Sequence, residues 1–279
     1  MRRLALVAIL STASTLMAQE AAPLSLVMPS QGTVPFRGLM SLDAAGMMGS
    51  GMLYPAPNVV GLLAAIVTHG VIAESVKDTQ KQELQKTADK VLDPYRVVLD
   101  KLAYPELAKR ALSRLQWQGN TSIVTAAPAK APGWLVTAQV RFAMTQDQTA
   151  LVLDADFKVK DPAMAEFPSV KVRVVSRPQK DKDLPAFWMT DDGAAIIAES
   201  ANLFAHSLRI ALDAKTYAAA PDLLKTVRYT QGSLEQIERA TIVDRYCGRD
   251  LLRNLRGWFV SVPVGTAAAG GGCSHSLAD

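Results

Sequence analysis

The feature that most constrains this chain is a period-two alternation of apolar and polar residues between positions 134 and 159. Trp134, Val136, Ala138, Val140, Phe142 and Met144 alternate with more polar neighbours, Gln146-Asp147-Gln148 offers a turn, and Leu151, Leu153, Ala155, Phe157 and Val159 answer beyond it. Successive side chains of a strand point to opposite faces, so this spacing specifies an antiparallel hairpin with one dry and one wet face. Val170, Val172 and Val174, alternating with Lys171 and Arg173, predict a third strand of the same kind.

The period then changes. After a charged loop from Arg177 to Asp183, Thr190, Asp191 and Asp192 offer caps for a helix of about residues 190–214. Ile197, Ala201, Phe204, Leu208 and Leu212 fall on one stripe of it. Strands are expected again near Lys225 to Thr230, Arg239 to Cys247 and Leu251 to Val262, with a tight reversal at Gly248 and a bulge at Gly257. Upstream, residues 58–118 read as helical. Asn58 caps an uncharged stretch from Val59 to Ala73, Asp93-Pro94 begins a second helix, and Pro105 restarts it.

These periods predict an α+β fold in which N-terminal helices and a central amphipathic helix pack on an antiparallel sheet, with residues 119–263 as the α+β region. Residues 22–57, rich in Gly, Pro and Met, read as an irregular arm, and residues 264–279 as a flexible Gly/Ala tail.

Residues 1–21 carry Arg2 and Arg3, an apolar run from Leu4 to Leu10 and small residues ending near Ala18 or Ala21, the pattern of a cleavable export signal. The run is far shorter than the about 20 residues a membrane span needs. Gln19 stands where an acylated lipoprotein would have cysteine. The sequence therefore predicts a periplasmic or secreted protein with no lipid anchor and no stable transmembrane anchor after cleavage. Val59 to Ala73 is the one internal stretch with the composition for membrane contact, and its length suits a buried helix better.

Export decides how the two cysteines are read. In an oxidising compartment Cys247 and Cys273 are expected to form a disulfide. Cys273-Ser274-His275 with Cys247 offers soft ligands, but the spacing matches no closed zinc site, so no metal and no cofactor are expected. The formal net charge of +4 falls near +2 once Arg2 and Arg3 are removed, which gives no basis for nucleic-acid binding.

Three histidines are available as neutral-pH bases. His69 is in line with Leu62, Ile66, Ala73 and Val76 and reads as a packed residue, and His275 lies in the tail. His206 sits off the apolar stripe of its helix. Asp154 and Asp156 share one strand face and form a carboxylate pair of the kind used in acid–base work. Lys158 and Lys160 continue that row, as on an ordinary solvated sheet face. The catalytic candidates are thus Asp154, Asp156 and His206.

Arg245, Arg249 and Arg253, with Trp258, concentrate positive charge and an aromatic ring in the last hairpin, where they suit an acidic partner or pair across the ladder. The sequence has no Gly-x-Ser-x-Gly elbow, phosphate-binding loop, dinucleotide fingerprint or His-Glu-x-x-His. The expectation is an exported envelope protein that binds another protein or itself and is not an enzyme, with a periplasmic hydrolase of an unrecognised type as the alternative.

Overall fold

A computed structural model describes residues 22–40, 74–128, 132–163, 169–221 and 223–264. It has ten strands: β1 (Leu24–Val27), β2 (Phe36–Gly38), β3 (Thr121–Val124), β4 (Trp134–Met144), β5 (Leu151–Lys160), β6 (Val170–Val175), β7 (Lys225–Gln231), β8 (Leu234–Tyr246), β9 (Arg249–Asn254) and β10 (Phe259–Pro263). Its helices are α1 (Glu74–Asp89), which runs into a 3-10 turn at Lys90–Tyr95, α2 (Arg96–Leu99), α3 (Tyr104–Leu112), α4 (Leu184–Trp188), α5 (Thr190–Leu212) and α6 (Ala214–Ala218).

The strands form one sheet in the order β3-β1-β4-β5-β6-β10-β9-β8-β7, with β2 paired to β4 off that path. The predicted antiparallel sheet is overturned. β1 runs parallel to both β3 and β4, β2 runs parallel to β4, and β10 runs parallel to β6. Among the described residues the fold is a sheet-rich mixed sheet of ten strands with one long helix, and not a set of helices layered on an antiparallel sheet. Period-two spacing reports that a strand has two different faces, but the direction of its neighbour is decided by where the chain returns from.

The arm that reads as irregular supplies β1 and β2, with Leu24 and Leu26 fully buried. Trp117 Nε1 donates to the Ala22 carbonyl at 3.0 Å, and Gly38 N donates to Asp89 Oδ1 at 2.7 Å. Gln85 Nε2 completes the tether on the Gly38 carbonyl at 3.0 Å. The central hairpin forms in the register that pairs Phe142 with Leu153 and Val136 with Val159.

Both faces of the sheet are buried near its middle. On one, Phe142, Leu153, Phe157, Val172 and Val174 pack with Ala201, Phe204 and Leu208 of α5, and the Phe157 and Phe204 rings stack 6.4 Å apart. On the other, Ala143, Val152, Val175 and Val260 pack with Val227 and Tyr229 of β7. The coil of the sheet brings the β7–β8 turn onto the β4–β5 turn, where Ser233 N donates to Asp147 Oδ2 at 2.5 Å.

Several local expectations change. Asp93-Pro94 lies inside the 3-10 turn and does not start a helix. Asp191, Asp192 and Gly193 adopt left-handed backbone angles and make no side-chain cap, so regular helix begins only after them. The carboxylate that caps is Asp183, which accepts from Ala186 N at 3.0 Å. The last predicted strand is two strands, β9 and β10, joined by a turn in which Gly257 has φ +74°. No helix among the described residues is long and apolar enough to cross a membrane. The signal, the Val59 to Ala73 stretch and the Gly/Ala tail lie outside the described residues.

Candidate functional site

A cavity of about 230 Å³ opens where the end of α3, one face of α5 and the β8–β9 turn meet. Asn202, His206 and Arg209 reach it from α5 because positions separated by four and then three residues share one helix face. Arg114 and Gln116 follow the end of α3, while Tyr246, Cys247 and Arg249 enclose the opposite side. Gln116 and Cys247 both have positive φ, at 54° and 53°. Cys247 precedes Gly248, φ 63°, and together they make the two-residue reversal that twisted hairpins favour. A non-glycine residue held in the left-handed region costs about 1–3 kcal/mol, so neighbouring groups must fix both rims. Arg177 fixes one of them by donating from Nη2 to the carbonyls of Cys247 and Gly248 at 2.9 and 3.1 Å.

The floor is a network of three elements. His206 Nε2 lies 2.9 Å from Ser261 Oγ and 2.5 Å from the Tyr246 hydroxyl, and the His206 and Tyr246 rings stack 5.3 Å apart. Arg249 Nε donates to Ser261 Oγ at 2.9 Å, and its Nη2 donates to the carbonyls of Val175 at 2.6 Å and Ser261 at 3.0 Å. Burial, reinforced by the charges of Arg249 and Arg209, holds the His206 pKa well below its ordinary value, so the ring is neutral. Burial pushes the Tyr246 phenol up to about 12 against the opposing pull of Arg249 and Arg209, and it pushes the Arg249 guanidinium down to about 10.

Beside this network, burial raises the Glu199 pKa, opposed by a hydrogen bond from Asn202 and by the charges of Arg249 and Arg177. Asn202 Nδ2 donates to Glu199 Oε2 at 3.3 Å, and Asn202 Oδ1 accepts from Arg114 Nε at 2.8 Å. The bonds of Arg249 end on carbonyl and hydroxyl oxygens, which are neutral. Arg209 faces Asp213 at 3.9 Å. Arg114, Arg209 and Arg249 thus line the cavity together with Tyr246 and Asn202, and no acid is among its described lining residues.

The three catalytic candidates do not converge. His206 belongs to the cavity on the α5 side of the sheet. Asp154 and Asp156 alternate with Leu153, Ala155 and Phe157, which face α5, and so they lie on the opposite face. There Asp154 is gripped by Arg173 through Nε at 2.7 Å and Nη2 at 2.8 Å, and Asp156 accepts from the Ser169 hydroxyl. Of the expected partner-binding residues, Arg249 is the network member described above. Arg253 donates to the carbonyls of Tyr217, Ala218 and Ala220 and so caps the end of α6. Arg245 is exposed and pairs with Asp250 at 3.3 Å, while Trp258 lies under Lys171 and Arg173 at 5.5 and 6.0 Å.

Sequence reasoning missed Ser261, Arg114 and Arg209. The helical spacing of Asn202, His206 and Arg209 was a usable signal, whereas nothing local marks Ser261. His69, His275 and Cys273 lie outside the described residues, and with them the second half of the expected disulfide. Among the described residues, no group of three or more His, Cys, Asp or Glu side chains is placed to hold a metal ion. No family model, characterised protein or solved structure matches this chain.

Proposed function

We propose that this chain is an exported protein of the cell envelope that acts by recognition of another protein or of its own copy, and not by catalysis. The observation that carries the reading is the closure of His206. Its Nε2 faces the hydroxyls of both Tyr246 and Ser261, and Ser261 has no exposed surface, so a substrate carbonyl has no approach to the serine hydroxyl that an imidazole base would activate. The two remaining acid–base candidates are engaged on the other face of the sheet, Asp154 by a two-point guanidinium grip. Export is supported by the charged, apolar and small-residue pattern of residues 1–21.

The test is crosslinking and co-purification from the envelope fraction of the native host. The expected result is a specific envelope partner or a defined homo-oligomer, with a mature N-terminus after Ala18 or Ala21. Non-reducing peptide mapping is expected to link Cys247 to Cys273. A strictly monomeric protein that recovers no partner overturns recognition of a protein or of its own copy, and a cytosolic chain retaining Met1 overturns export.

A further inference from the structure

We propose that the cavity between α3, α5 and the β8–β9 turn binds a single oxyanion group, a carboxylate or a phosphate; this rests on the reading that the chain acts by recognition and not by catalysis. Three arginines, Arg114, Arg209 and Arg249, line it from three different parts of the chain, the end of α3, α5 and β9. A guanidinium presents planar paired donors that match the edge of a carboxylate or phosphate, which makes arginine the residue of choice for such groups. Arg249 is anchored by Val175, Ser261 Oγ and Ser261 O, so its position is fixed by the fold before any ligand arrives. Its anchors bring no negative charge to it.

Among the described residues, two acids stand near these three arginines. Asp213 answers Arg209 at 3.9 Å. Burial raises the Glu199 pKa against the charges of Arg249 and Arg177, and its carboxyl accepts from Asn202. Positive charge in a partly enclosed, low-dielectric recess attracts a counter-charge more strongly than it would in open water. Tyr246 and Asn202 line the same space and bring neutral hydrogen-bonding side chains beside the arginines.

Size narrows the class. A cavity of about 230 Å³ is smaller than the roughly 300 Å³ at which pockets for drug-sized ligands begin. It suits an inorganic oxyanion or the one acidic group of a larger molecule.

The experiment is a titration of the full mature chain with inorganic phosphate and, separately, with succinate, followed by thermal shift and calorimetry against chloride at equal ionic strength. The expected result is saturable stabilisation by at least one of the two, beyond that of chloride. Affinity should be at least tenfold weaker in Arg114→Gln and Arg209→Gln. Arg114 is exposed, so its variant keeps the fold, which circular dichroism verifies. Saturation by phosphate alone or by succinate alone assigns the group. A response no larger than that of chloride, or one untouched by Arg114→Gln, overturns the inference and leaves partner recovery to judge the recognition reading. Release of nitrophenolate from p-nitrophenyl phosphate that is lost in His206→Gln overturns the non-catalytic reading on which the inference rests.

Discussion

The hydroxyl of Tyr246 lies 2.5 Å from Nε2 of His206, on strand and helix elements that meet only in the folded chain. Burial and the flanking charges of Arg249 and Arg209 keep the ring neutral, with a pKa well below the ordinary 6.5. The sign follows from linkage. The unfolded chain takes up a proton at His206 that the folded chain refuses, so stability is full above about pH 6.5 and falls as the pH drops below it. Thermal unfolding followed from neutral pH downward is expected to show this loss in the wild type, with a shallower slope in His206→Gln. Parallel slopes contradict it.

A second pH-sensitive contact joins the two turns. Burial tends to raise the Asp147 pKa, but hydrogen bonds from Ser233, Thr145 and Thr149 outweigh it and bring the value down to about 2. A depressed carboxylate stabilises above its ordinary pKa of 3.8, and that contribution disappears as the pH falls toward 2. Asp147→Ala is expected to cost about 1–3 kcal/mol, because it leaves Ser233 N and the threonine donors without their acceptor. Amide exchange should rise at the β7–β8 turn before it rises in β4. Uniform exchange across both would show that the turns are not pinned there.

Gln231 tests polar satisfaction inside the sheet. It is 1% exposed, and neither its amide nitrogen nor its amide oxygen has a hydrogen-bond partner. An orphaned buried polar group costs about 1–3 kcal/mol. Gln231→Met keeps the length and removes both orphans, so it should raise stability by about 1–2 kcal/mol. Denaturant unfolding measures this, and a destabilised variant would mean that the amide is satisfied in solution.

The arm is tested at Gly38. A Cβ there would stand 1.9 Å from the Ala88 carbonyl oxygen at the end of α1. Gly38→Ala should therefore cost about 1–3 kcal/mol, the range for overpacking, and should loosen β2 from Asp89. An unchanged melting temperature would show that β2 is not held against α1.

What the residues themselves disclosed is uneven, for physical reasons. The β4–β5 hairpin was readable because long alternation forces two unlike faces, and Gln146 to Gln148 break it at the observed turn. Leu24–Val27 and Phe36–Gly38 were not, since strands of four and three residues among prolines and glycines look like turn punctuation. The parallel pairing of β10 with β6 escaped notice because the chain leaves through α4–α6 and β7–β9 before returning. The same distance hides the site. His206 and Ser261 are 55 residues apart and meet only when β10 enters beside β6.

The most direct test of the recognition site observes its guanidiniums. Nuclear magnetic resonance of the Arg Nε–Hε pairs during titration with inorganic phosphate or succinate should show saturable shifts at Arg114, Arg209 and Arg249 with at least one of them. Arg253, which caps α6 away from the cavity, should stay unmoved. Equal, unsaturating shifts at all four, or none at any, would contradict the account.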